Sequence, residues 1–233
     1  MTYFTQRLND LRQRIELACE ISARDPREIT LVAVSKRHGL DRINEAIDAG
    51  HKDFGENLIQ EAVPKIIATR GNGLVWHFIG HLQSNKTREA ATYFDWVHTV
   101  DRPKIARRLN DQRPESAGPL QVCIQVHIGD EASKSGIAPA GVPALAEEIR
   151  GYPRLRLRGL MAIPPPADDI ETQCAHFRIL REIKMGLESS GYDLETLSAG
   201  MSDDLEAAIA EGSTMLRIGT DLFGPRPSTR GTG

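Results

Sequence analysis

Cysteine is scarce in this chain. Cys19, Cys123 and Cys174 are the three among 233 residues, they fall in separate predicted elements, and none forms a CxxC pair. A disulfide framework is therefore not expected, and an odd count without a secretory leader fits reduced thiols in a cytoplasm. A long apolar run is missing from the N-terminus as well. The opening MTYFTQRLNDLRQRIELA has no secretory core and is too charged to span a membrane. There is no basic block, and the net charge of −3 argues against a generic nucleic-acid binder. Arg150, Arg154, Arg156 and Arg158 gather around one predicted strand, where alternation leaves them on a solvated face or strand end. No GxGxxG turn follows the first strand, which counts against a dinucleotide fold.

What the chain does have is alternation. Its length and 40% hydrophobic content suffice for one α/β barrel or two smaller domains. Phe4, Leu8, Leu11, Ile15 and Ile21 recur at helical spacing and predict an amphipathic N-terminal helix. Strand-like runs follow at 29–36, 53–57, 76–80, 96–100, 120–128, 155–163, 196–200 and 215–219. Helical patterns separate them at 41–49, 58–69, from Ser84, after Asp101, at 139–150 and through His176 to Leu187. Strands alternating with helices imply parallel pairing and right-handed crossovers. Eight such units suit a single (β/α)8 TIM-type barrel with an extra N-terminal helix. The runner-up is an open doubly wound sheet. The barrel is expected over residues 1–225, with a flexible tail over 226–233.

Lys36 closes the first apolar run, ITLVAVSK. Barrel enzymes place their chemistry at the C-terminal ends of the strands. An amine held there beside apolar walls is suited to Schiff-base chemistry. A strand-end lysine reaching into solvent is the other reading. The loop after strand seven, Gly200-Met201-Ser202-Asp203-Asp204, places Ser202 as a helix N-cap with acidic neighbours suited to a helix dipole. Strand eight ends in Arg217-Ile218-Gly219-Thr220, which offers glycine backbone N–H groups and a hydroxyl. Barrels favour a phosphate after strands seven and eight. Two aspartates would repel that phosphate unless they point away. Arg217 and Gly219 share a side by alternation, so the arginine could lie along a ligand's ring edge. A phosphorylated aldehyde would satisfy both the lysine and the cradle.

With these stretches the chain resembles the pyridoxal phosphate homeostasis proteins, relatives of the barrel domain of alanine racemase. The resemblance runs from about Leu31 to Gly224. It is carried by VAVSK at 32–36, DFGEN at 53–57, WHFIGHLQSNK at 76–86, EASKSG at 131–136, RGLMAIP at 158–164, GMSDD at 200–204 and RIGT at 217–220. It implies that pyridoxal 5'-phosphate is the cofactor and that Lys36 holds it as an aldimine. It implies phosphate contacts from Ser202, Gly219 and Thr220, with Arg217 at the pyridine nitrogen or the phosphate. Asn57, His81 and Met201 are further pocket candidates, His81 having helix capping as its alternative. Trp76 reads as packing, and His77 could face either the core or the helices. The chain departs from the family pattern at Arg37-His38-Gly39, His127, Ala199 and Asp221.

Catalysis on this cofactor needs a positioned protein base besides the lysine. In alanine racemase a second domain or subunit completes the site, and no such domain follows strand eight here. The resemblance therefore implies a non-catalytic protein of intracellular cofactor homeostasis and delivery. Its expected partners are the cofactor and apoenzymes that require it, with no nucleic acid, no membrane and no metal, and a monomer is expected. The alternatives are an amino-acid racemase or decarboxylase, with His81 or Tyr93 as a second base, and a cofactor-free Schiff-base aldolase. Lys134, after strand five, could contact arriving cofactor or pair with Asp130 or Glu131.

Overall fold

The computed structural model describes residues 2–129 and 135–224. Eight parallel strands close a barrel in sequence order. They are β1 Thr30–Val34, β2 Asp53–Glu56, β3 Val75–Phe78, β4 Trp96–Val100, β5 Leu120–Gln125, β6 Leu155–Met161, β7 Thr196–Ser198 and β8 Met215–Ile218. The register Val32↔Arg217 joins β1 to β8 and leaves no sheet edge open. Around it run α1 Tyr3–Ile21, α2 Leu40–Asp48, α3 Ile59–Ala68, α4 Thr87–Tyr93, α5 Pro103–Gln112, α6 Val142–Arg150, α7 Ile170–Ser189, α8 Leu205–Ala210 and α9 Thr220–Phe223. The expected barrel with its extra N-terminal helix is the observed one. Lys134 and the tail at 226–233 lie outside the described residues.

Thr2 caps α1 by accepting from the Thr5 N–H at 3.2 Å. Phe4, Leu8, Leu11, Ile15, Ala18 and Cys19 then form its buried stripe. Ile21 falls off that stripe and is 78% exposed, so the periodicity stops one turn earlier than expected. Along the strands, alternation divides the side chains between two spaces. Ala33, Phe54, Trp76 and Phe78 face the helices and join the apolar core. Gly55 shares the inner side with Val32, Val34 and Ile79; a Cβ on it would lie 3.0 Å from Val32. Trp76 is packing, as expected, and His77 faces the inside of the barrel, where it meets His98.

Most strands end before their expected runs, and three of these matter for the site. β1 ends at Val34, so Lys36 stands in the following turn rather than closing the strand. β5 ends at Gln125 instead of Ile128, leaving a lone bridge between Val126 and Ile137. β7 stops at Ser198, before Gly200 turns the chain at φ +96°. Past the strand ends single backbone bonds persist, from the Ser35 N–H to the Gly55 carbonyl and from the Ala199 N–H to the Met215 carbonyl. The 3-10 turn Ser84–Lys86, whose N-cap is Gln83, leads into α4 at Thr87, so His81 does not cap it.

Candidate functional site

A cavity of about 430 Å³ opens at the C-terminal ends of β1, β2, β3, β7 and β8. Lys36, Asn57, His81, Met201, Ser202, Arg217, Gly219 and Thr220 all line it. The eight residues singled out in the sequence thus come together from five separate loops. Larger clefts of about 580 and 540 Å³ lie beside α1 and at the opposite end of the barrel, and neither is lined by any of these eight.

The turn carrying Lys36 is held from below by a buried cluster. Lys65 Nζ on α3 donates to Glu56 Oε1 at 2.7 Å and to the Ser35 carbonyl at 3.0 Å. Ser35 Oγ donates to the same Glu56 oxygen at 2.6 Å. Burial pushes the Glu56 carboxyl up, while the bonds from Lys65 and Ser35 pull it back. With residue 35 fixed, Lys36 is half-buried at the cavity wall and Arg37 turns the backbone into the left-handed region at φ +65°. His38 then folds back, buried, and stacks on Phe223 of α9 at 5.0 Å. The Arg37-His38-Gly39 departure therefore ties the lysine turn to the strand-eight loop. Sequence reading missed His38 as a lining residue.

Asn57 is brought to the wall because β2 and β3 end in close approach. A Cβ on Gly80 would sit 2.1 Å from the Asn57 carbonyl, so only glycine fits. His81 lies exposed at the rim, with Nδ1 3.0 Å from Ser135 Oγ.

Ser202 is not a helix cap. α8 starts at Leu205, and its N-cap is Asp204, whose carboxylate reaches back to accept from the Met201 N–H at 2.6 Å. That contact tightens the 201–204 turn and leaves the Ser202 hydroxyl uncommitted to capping. Asp204 thus points into its own turn, and burial pushes its carboxyl up. Asp203 does line the cavity, exposed. Helix α1 braces both loops. Arg7 donates to the Thr220 and Asp221 carbonyls at 3.1 and 3.0 Å. Arg14 pairs with Glu206 of α8 at 2.8 Å and Asp221 of α9 at 3.2 Å. The unusual Asp221 therefore serves this brace.

Arg217 lies deepest. It is buried, donating from Nη1 to Ser198 Oγ at 2.8 Å and from Nη2 to the Ala162 carbonyl at 2.9 Å. Burial lowers its pKa to about 10, against the pull of Asp204 and Cys123. Cys123, inward on β5, is fully buried and its thiol is pushed up to about 12. Tyr93, a candidate second base, ends α4 and packs against the core rather than lining the cavity. His127 and Ala199 are not lining residues either.

The donor set fits a small anionic aldehyde. An amine, two hydroxyls and a deeply buried guanidinium line one space, in a volume ordinary for a cofactor pocket. Among the described residues no cluster of three or more His, Cys, Asp or Glu could hold a metal. No described helix is long and apolar enough to cross a membrane.

The alanine racemase N-terminal domain model matches residues 7–227. The chain is 51% identical over 226 residues to a pyridoxal phosphate homeostasis protein of Pseudomonas aeruginosa, covering 97% of each. It is 51% identical over 232 residues to the protein of that name from Escherichia coli K12, covering 97% of this chain and 98% of that one. Among solved structures it resembles PipY of Synechococcus elongatus at 36% identity, covering 95% of this chain and 100% of that one. The TM-score is 0.85 to PipY without PLP and 0.82 to PipY with PLP bound.

Proposed function

The chain belongs to the alanine racemase N-terminal domain family, among its pyridoxal phosphate homeostasis proteins, and from that membership we propose that it binds pyridoxal 5'-phosphate, keeps it and delivers it without turnover of its own. The observation that carries this is the meeting of Lys36 with the Ser202 and Thr220 hydroxyls on one cavity. When bound, the cofactor supplies an aldehyde that condenses with an amine. Lys36 is the residue that would hold it covalently. Ser202, Thr220 and the Gly219 backbone would hold the phosphate, and α1 keeps their two loops in register through Arg7 and Arg14. Arg217 stands two residues below Gly219 on the strand, tied to Ser198 and Ala162. That depth favours the ring edge over the phosphate. Asn57, His81 and Met201 would close the sides.

A racemase would need a second base. Tyr93 lies away from the cavity, and His81 sits exposed at the rim, engaged with Ser135. The carrier reading places the chain in the cytoplasm as a monomer that passes the cofactor to apoenzymes. Its test is direct. Purified protein loaded with pyridoxal phosphate should turn yellow, and borohydride should fix the label on Lys36. A dominant label on another residue would sink the site assignment. Deuterium wash-in from an amino-acid panel would favour the racemase, and a colourless protein would favour the aldolase.

A further inference from the structure

A line of hydrogen bonds runs through the inside of the barrel. Arg217 Nη1 donates to Ser198 Oγ at 2.8 Å, and Ser198 Oγ meets His98 Nδ1 at 2.8 Å. His98 Nε2 meets His77 Nδ1 at 3.0 Å, and His77 Nε2 meets Asp53 Oδ1 at 3.1 Å. The five residues come from β8, β7, β4, β3 and β2. His77, His98 and Ser198 have no exposure at all, and Trp96 stacks on His77 at 5.6 Å. One end, Arg217, lines the cavity with Lys36. The other end, Asp53, lines the cleft at the opposite face of the barrel.

The chemistry of the two ends sets the direction. A guanidinium only donates, and an ionised carboxylate only accepts. With Arg217 donating to Ser198 Oγ, the serine hydrogen goes to His98 Nδ1. His98 then carries its proton on Nε2 and gives it to His77 Nδ1, and His77 Nε2–H points at Asp53. With one proton on each imidazole, every bond is made only when all of them run the same way. Burial above all, with the nearby Arg217 charge, holds His98 well below the ordinary histidine range. The inner layer of such barrels is ordinarily filled by Val, Ile and Leu. Polar groups there stabilise nothing unless mutually satisfied, so this line is not explained by packing.

We propose that Asp53, His77, His98 and Ser198 are positioning residues for the cofactor: through this one-way line, the carboxylate at the far face fixes the plane of the Arg217 guanidinium against the ring edge of bound pyridoxal phosphate. The proposal rests on reading the cavity as a pyridoxal phosphate site. It makes Asp53 and Ser198, which share no hydrogen bond, act as one unit.

The test is a double-mutant cycle on the loaded protein. Wild type, Asp53→Asn, Ser198→Ala and the double variant are titrated with pyridoxal phosphate. Affinity and the absorption maximum of the bound cofactor are read, with the melting temperature alongside. Ser198→Ala should weaken retention about tenfold and move the absorption maximum. Asp53→Asn keeps an acceptor but removes the charge, and should weaken retention about threefold with a shift of the same sign. The double variant should be no weaker than Ser198→Ala, because the line is already cut. Ser198→Thr, which restores the hydroxyl, should return the absorption maximum towards wild type. Additive effects would overturn the proposal, as would an Asp53→Asn protein that binds and absorbs like wild type. The Asp53 side chain is 30% exposed, so its arm stands even if Ser198→Ala fails to fold. A wild type that takes up no cofactor overturns the site reading and the proposal with it; a wild type that loads normally beside unaffected variants overturns the proposal alone.

Discussion

The eight strands fill two spaces of different chemistry, an outer one that is apolar and an inner one that sets polar groups beside Val32, Val34 and Gly55. Towards the helices they present Ala33, Phe54, Trp76, Phe78 and Val97, in one continuous apolar layer. Towards the barrel axis they present Asp53, His77, His98, Cys123, Ser198 and Arg217, fixed by hydrogen bonds or sealed from water. The outer layer is governed by burial, roughly proportional to area and indifferent to direction. The inner one is governed by donor and acceptor matching, where direction is everything. Substitutions outside should therefore move stability, and substitutions inside or at the mouth should move the cofactor.

Lys36→Ala would sharpen that division most. Covalent retention should vanish, as read by borohydride labelling and peptide mass, while the melting temperature stays near wild type. Undiminished labelling would place the cofactor on another amine. Phe54→Ala is the outer counterpart. It should cost about 3–5 kcal/mol in urea unfolding, with cofactor affinity unchanged at temperatures where the variant is folded. A large affinity loss in the folded variant would break the comparison.

Ser202→Ala, Thr220→Val and Arg217→Gln should each weaken retention by about 1.5–3 kcal/mol, roughly ten- to hundred-fold in equilibrium dialysis. Unchanged affinity in all three would mean that the phosphate lies elsewhere. The last effect concerns acid. His51 and His98 are held below the ordinary histidine pKa, chiefly by burial. Below a pH of about 6.5 the unfolded chain binds protons that the folded one refuses. Stability should therefore fall with pH, by up to about 1.4 kcal/mol per unit for each histidine, until the folded-state values are reached. Equal unfolding midpoints at pH 7 and pH 5 would contradict a neutral His51 and His98 in the folded chain.

The barrel was legible because strand-like and helix-like stretches alternate eight times, with β-branched runs such as ITLVAV and LQVCIQ anchoring the pattern. The mouth residues were legible because Lys36, Gly219 and Thr220 sit at strand ends, where position implies a role. The cap at Asp204 was not. Ser202 and Asp204 are both good capping residues, and only the back-bond to Met201 decides between them. The inner line was hidden for another reason. His77, His98 and Ser198 stand on alternate positions of three strands, but their contact depends on closure, which brings β4 within reach of β7 across the axis. A shift of register between Val97 and Val100 adds to the difficulty.

Cys123 carries a consequence of its own. Thiolates add to aldehydes, and it is the thiolate, not the thiol, that reacts. The barrel interior keeps this sulfur protonated far beyond neutral pH, and burial likewise raises Cys19 and Cys174. All three thiols are thus held towards the less nucleophilic form. On the proposed reading of the cavity, a bound aldehyde would meet an amine there and no thiol among the lining residues.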